Sequence, residues 1–292
     1  MKKIFLTLVI LTTMLLPANA WDFATFGESI KNTKETWAVK RLLKSQVKFA
    51  NDNDFEKFIS TYDEKYVNAD GFNLDTYSTL VKDLWNLYAD IEYGIDIKKV
   101  DIKGEDAKVE LVETSYADID VTNNYDGELK SVAESIYYLK KKNGAWKVVS
   151  DSVVDETTLM LYGDAKDLDV KLTVPITIEA GTDYVATLEF DPPEETFAIA
   201  SIAADKVEYP QQPTKEVFRL LPEDNILERI FTSNNDNLNE YIVASIGLTK
   251  TTITDMSLNI SLTGFGYAIR RVNVLPKEDL EQKSKAENDE NK

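Results

Sequence analysis

ESIYYLKKKNGAWKVVSDSVV, residues 134–154, decides how this chain folds. Two runs of strand-favouring residues flank Asn143-Gly144, the pair that most readily adopts the positive φ angles of a type I′ hairpin turn. That turn pairs Lys142 with Ala145, Lys141 with Trp146, Leu139 with Val148 and Tyr137 with Ser150. Tyr137, Leu139, Trp146 and Val148 then share one face, while Lys140, Lys142 and Lys147 crowd the other near the turn. The first face is therefore the one expected against a core.

Working back from the hairpin, AKVELVETSY (107–116) and the run holding Ile95, Ile97, Val100 and Ile102 read as two further strands joined by a turn at Gly104-Glu105-Asp106. Before Tyr93 the period changes to three and four. Val39, Leu43, Val47 and Ala50 mark one amphipathic helix, with Asn32 and Glu35 at its start. Phe55, Phe58, Ile59, Tyr62 and Tyr66 mark a second after the NDND run at 51–54. Tyr77, Leu80, Val81, Leu84 and Tyr88 mark a third, starting near Asn73. Three helices followed by a meander of about four strands give an α+β layer with the sheet wrapped on the helices.

That order of elements, with IDIKKVDIKGEDAKVELVETSY and the closing YYLKKKNGAWKVVSD, resembles the nuclear transport factor 2-like cone fold over residues 32–156. Polyketide-cyclase-like and ketosteroid-isomerase-like proteins share this fold. The resemblance implies a shape: three helices against a curved antiparallel sheet, with a pocket between them. It implies no single activity, because the fold hosts enzymes, ligand carriers and dimerisation modules.

Beyond residue 168 strand signals follow one another: 170–178, 184–190, 197–203, 217–221, 241–248, 258–262 and 267–275. Turns are expected at Asp191-Pro192-Pro193 and Gly264-Phe265-Gly266, and one helical turn at 225–231. Seven short strands in this span are expected to form an all-β sandwich over 168–276, similar to immunoglobulin-like domains only in broad pattern, after a linker at 157–167. The polar end, 277–292, is expected to be disordered.

Residues 1–20 read as a signal peptide: Lys2 and Lys3, an apolar run from Ile4 to Leu16, then Pro17 and Ala18-Asn19-Ala20, with cleavage before Trp21. An uncleaved anchor is the alternative. Export to the periplasm or the exterior is the expected localisation. The formal charge of −18 argues against nucleic acid as a partner. It is also even at the scale of halves: residues 21–163 hold 27 acidic and 18 basic groups, and residues 164–276 hold 18 and 9.

There is no cysteine and no histidine. Disulfides, thiolate metal sites, Ser-His-Asp triads and histidine-ligated metals are all excluded, and no cofactor is expected. What remains for chemistry is carboxylate, tyrosine, lysine and arginine. Candidate pocket residues are Tyr62, Tyr66, Tyr88, Glu113, Tyr116, Tyr137 and Trp146. In ketosteroid-isomerase-like proteins a tyrosine and carboxylates in the cone manage proton transfer, and a buried Glu113 would have the raised pKa of such a base. Glu113 solvated at a strand end, with the tyrosines as core, is the other reading. Asp118, Asp120, Asn123, Asp126 and Glu128 depart from a calcium loop in glycine position and in the last ligand, so no metal is expected. Of Arg270 and Arg271, one must point outward; the other, if inward, needs a carboxylate, sought first at the domain junction.

Three functions fit. The expected one is an exported, non-enzymatic binding or interaction protein, whose partner is a small hydrophobic ligand or an envelope protein. A histidine-independent isomerase or lyase is the alternative, and an envelope scaffold with a side-chain-filled cone is the third.

Overall fold

Helix α1 (Thr33–Asn51) turns Val39, Leu43, Gln46 and Ala50 inward at the spacing its sequence repeats. The structure is a computed structural model, and it describes residues 33–120, 125–211, 216–254 and 257–277. The expected signal peptide, the Asn32 cap and the tail beyond residue 277 lie outside the described residues. Helix α2 (Phe55–Ile59) is capped by Asp54, and α3 (Leu74–Leu87) by Asn73, whose Oδ1 accepts from the Thr76 N–H at 3.0 Å. The second helix is shorter than its periodicity predicts. Past Ile59 the backbone of 61–69 gives up helical bonds to pair with a strand: Asp63 N–H donates to Val148 O at 2.8 Å and Ala69 N–H to Asp151 O at 3.1 Å. Tertiary pairing outweighs helix propensity there.

Four long strands follow: β1 (Glu92–Lys103), β2 (Asp106–Asp120), β3 (Asp126–Lys142) and β4 (Ala145–Gly163). They form an antiparallel meander with the helices on one face. At the β3–β4 turn Asn143 and Gly144 have φ of 51° and 82°, and Lys142 pairs with Ala145, Lys141 with Trp146 and Leu139 with Val148 as expected. Tyr137 then pairs with Asp151 rather than Ser150, because β4 bulges between the partners of Tyr138 and Leu139 and again between those of Glu134 and Ser135. Each bulge adds one residue and reverses which parity points inward. Trp146 and Val148 face the helices, then Asp151, then Glu156, Met160 and Tyr162.

The second half is β5 (Lys171–Thr173), β6 (Thr177–Glu179), β7 (Asp183–Glu189), β8 (Thr196–Lys206), β9 (Arg219–Leu220), β10 (Ile226–Thr232), β11 (Glu240–Thr254) and β12 (Ser257–Leu275). Residues 226–231, expected as part of a helical turn, lie in strand β10, paired with β7. The stretch 257–275 is one strand rather than two. Gly264 and Gly266 mark no turn: a Cβ on Gly264 would lie 2.5 Å from Ala165 N, where backbone approaches closely, and one on Gly266 would lie 2.6 Å from the Leu161 side chain at Cδ2.

The larger difference concerns the junction. Residues 157–163 of the expected linker belong to β4, and β12 pairs with them from Gly264↔Gly163 to Arg270↔Thr157. One sheet therefore runs β1-β2-β3-β4-β12-β11-β8-β9 through both halves. A three-stranded sheet, β10-β7-β5, covers the opposite face of its second part through Leu161, Leu188, Phe190, Ile202, Ile242 and Ile246. The β-rich half is joined edge to edge to the first, in place of the free-standing unit suggested by strand spacing.

Arg271 locks this junction. It is 0% exposed, and its guanidinium contacts Asp70 Oδ1 at 3.0 Å, Tyr241 Oη at 3.2 Å and Asn273 Oδ1 at 2.8 Å. Asp70 sits between α2 and α3, and also accepts from Asn239 Nδ2 at 3.0 Å. Arg270, the outward neighbour, pairs with Asp155 at 2.7 Å. Removing one partner of a buried pair strands the other charge, so Asp70→Ala should lower the unfolding free energy by roughly 3–5 kcal/mol. Urea denaturation checks this. With one shared sheet, tryptophan fluorescence, which reports only the first half, and far-ultraviolet ellipticity should follow a single coincident transition.

Candidate functional site

The space between α1, α3 and the sheet is occupied by aromatic side chains. Tyr62, Tyr66 and Tyr77 pack with ring centroids 5.0–5.4 Å apart, and Phe58 and Trp85 close the group. Among the described residues a cavity of about 50 Å³ lies there, lined by residues that include Gln46, Phe58, Tyr62, Tyr77, Trp85, Tyr93, Glu113 and Tyr137. A space of this size admits water.

Several of the polar groups here pair with one another. Tyr62 Oη and Tyr77 Oη are 2.8 Å apart, Tyr137 Oη donates to Glu113 Oε1 at 2.7 Å, and Tyr66 Oη donates to Asp151 Oδ2 at 2.6 Å. Trp85 Nε1 donates to Tyr93 Oη at 3.0 Å, and Gln46 Nε2 to Thr61 Oγ1 at 3.0 Å. Burial pushes the Glu113 carboxyl up, against the Tyr137 hydrogen bond that favours its ionised form. Burial pushes Asp151 up much further, and its Oδ1 has no hydrogen-bond partner among the described residues. Burial thus favours the protonated form of Asp151. The tyrosine hydroxyls are raised by burial as well, which keeps them neutral donors.

Of the residues singled out in sequence, Tyr62, Glu113 and Tyr137 meet at the cavity. Tyr66 lies behind it on Asp151. Tyr88 belongs to a separate cluster, with its hydroxyl on Met160 Sδ at 3.6 Å. Tyr116 is 39% exposed and bonds Asp118 on the surface, outside this cavity. Trp146 is buried and donates to Glu35 Oε2 at 2.9 Å, with Lys141 on the other oxygen at 2.7 Å. Sequence reading passed over both Asp151 and Glu156: strict alternation from Trp146 and Val148 turns Asp151 outward and the first bulge turns it inward, whereas Glu156 has the inward parity both by alternation and after the two bulges. In the loop weighed for calcium, residues 121–124 lie outside the described ones, while Asp126 pairs with Lys166 and Glu128 with Lys130, each at 2.6 Å. No group of metal-ligating side chains occurs among the described residues.

A second buried carboxyl stands farther along β4. Glu156 lies 3.4 Å from both Tyr241 Oη and Thr158 Oγ1. Burial raises it from the ordinary 4.5 to about 8, against the nearby Arg271, which lowers it.

Residues 41–160 match the family described as the C-terminal domain of anti-sigma-I factor RsgI9. No curated protein matches the chain. Among solved structures, Bd1075 of Bdellovibrio bacteriovorus is 18% identical with a TM-score of 0.35, covering 41% of this chain. The match takes in only 40% of that protein's length. Kfla4162 of Kribbella flavida is 10% identical with a TM-score of 0.38, over 41% of this chain and 90% of its own. An NTF2-like protein with a cystatin-like fold from Novosphingobium aromaticivorans is 15% identical with a TM-score of 0.34, over 41% and 81%. At these scores the likeness adds nothing to the architecture, which rests on the strand order and helix packing themselves.

Glu156 supplies a pH test. A carboxyl whose folded pKa is raised binds its proton more tightly when folded, so stability is lost as pH rises from about 4.5 toward 8. Glu156→Gln should remove that loss. Over this window the unfolding free energy of the native protein should fall relative to the variant by an amount on the order of a few kcal/mol, measured by urea titration at each pH.

Proposed function

We propose that this chain is an exported, non-enzymatic interaction protein, with one surface on the helix-backed sheet and a second on the sandwich-like β-rich half. The observation that carries the reading is the filled interior of the first half. Small-molecule sites commonly measure about 300–1,000 Å³ and bury most of their ligand; a cavity of about 50 Å³ leaves no such room. Its aromatic lining, bonded hydroxyl to hydroxyl and hydroxyl to carboxylate, does the work of a core. The partner is then a protein met at the surface, as an envelope component would be, rather than a ligand held in the cone. Similarity to a domain of an anti-sigma factor agrees with such a role, since that description names a regulator and not a catalyst. Export rests on the first 20 residues, read as a cleavable signal.

One pairing favours the enzymatic alternative. Glu113 and Tyr137, 2.7 Å apart on the cavity wall, are the carboxylate and tyrosine a histidine-free isomerase or lyase would use.

A panel of steroids, fatty acids and cyclic enones, screened by thermal shift and by deuterium exchange next to the carbonyl, separates the two. The interaction reading expects neither a saturable shift nor exchange above buffer. A shift or exchange that Glu113→Gln abolishes would overturn it in favour of the pocket. For export, the mature N-terminus of the secreted protein should be Trp21 by sequencing; retention of residues 1–20 in a membrane fraction would favour the anchor.

A further inference from the structure

The exposed face of α1 differs from the rest of the molecule. With its core positions at Val39, Leu43, Gln46 and Ala50, the outward positions are Lys34, Trp37, Lys40, Arg41, Lys44 and Lys48, all exposed. Lys34, Trp37, Arg41, Lys44 and Lys48 follow one another at intervals of three and four, so they form a single ridge about 21 Å long. Trp37 stands in it 69% exposed. The helix holds five basic residues and one acidic, Glu35, which Lys141 and Trp146 already engage. The remainder of the chain has 28 basic against 50 acidic groups. Charge that looks even when counted by halves is therefore concentrated here with opposite sign.

Of the five cations, Lys48 pairs with Asp52, and the other four make no ion pair among the described residues. Solubility is served by mixed signs, and the chain elsewhere obtains it from acid. A large exposed aromatic among unpaired cations adds nothing to solubility, whereas tryptophan and arginine are over-represented where binding energy concentrates.

We propose that this ridge docks an acidic polypeptide segment of a protein partner, its carboxylates against Lys34, Arg41 and Lys44 and its apolar side chains against Trp37. The choice of a narrow partner follows from charge. A bilayer or a nucleic-acid duplex is broad, and laying either on α1 also brings it toward Glu56 beyond the helix end and Glu92 on β1, the strand α1 packs against, exposed carboxylates that make no ion pair among the described residues. A single acidic strand or helix meets only the ridge, within a Debye length of about 8 Å. The inference rests on the interaction reading and gives it a face and a partner class. A ligand found in the cone would overturn that reading, whereas failure of the test below would remove only this face.

The test uses the full chain and a fluorescent 20-residue glutamate-rich peptide, with anisotropy read at low and at physiological salt. The expected result is saturable binding that weakens with salt, about tenfold weaker in Lys34→Glu/Arg41→Glu/Lys44→Glu and about fivefold weaker in Trp37→Ala, on the scale of interface truncations. All four positions are exposed, and circular dichroism checks the fold of each variant. If the triple variant misfolds, Arg41→Gln and Trp37→Ala together decide. Absence of peptide binding, or binding unchanged in the folded variants, would overturn the proposal. So would tighter binding to phosphatidylglycerol vesicles or to duplex DNA than to the peptide.

Discussion

A guanidinium with no exposed surface must be matched where it lies, because its desolvation amounts to several kcal/mol even after relaxation. Arg271 meets that demand with Asp70, Tyr241 and Asn273, drawn from the α2–α3 connection, β11 and β12. The planar fork of arginine fixes directions as well as distances. One constraint thus holds the first half's longest loop against the last strand of the chain, 201 residues away. Asn239 repeats the link, donating to Asp70 and accepting from Val274 N–H at 2.9 Å.

Strand β4 is the element on which both halves depend. Its near end is flanked by β3 and by the backbone of 61–69, and its far end by β3 and β12. Both faces are covered where Met160 and Tyr162 meet the helix-side core and Leu159 and Leu161 meet the small sheet. The first bulge at its middle brings Asp151 inward, and the second restores the parity that keeps Glu156 inward. Buried carboxyls so placed favour their protonated forms, which ties the junction's stability to pH. The same interior that accommodates these groups is closed by Phe58, Trp85 and the tyrosines.

Much of the first half was legible locally. Helix faces at Val39 and Leu43 or at Tyr77 and Leu84 follow from a period near 3.6, caps at Asp54 and Asn73 from their side-chain oxygens, and the hairpin from Asn143-Gly144. The site was legible only in pieces. Tyr62, Glu113 and Tyr137 were found from residue type and strand parity, while Asp151 was hidden by a bulge that no composition signals. Tyr116 shows the opposite failure: its residue type suggested a pocket, and its position on β2 leaves it at the surface. Averaging charge over halves of the chain likewise concealed the basic face of α1.

The sequence by itself determined α1, α3, the meander of the first half and the faces they bury, because each of these depends on neighbours a few positions apart, and its composition excluded histidine and cysteine chemistry. Only the tertiary structure decided that 157–163 would pair with β12 instead of acting as a linker, that residues 61–69 would leave their helix, and that the cone would fill. Those outcomes depend on hydrogen-bond partners and side-chain volumes brought together from distant parts of the chain. A backbone group buried at a strand edge must find a partner, and nothing in its local sequence specifies which segment will supply it.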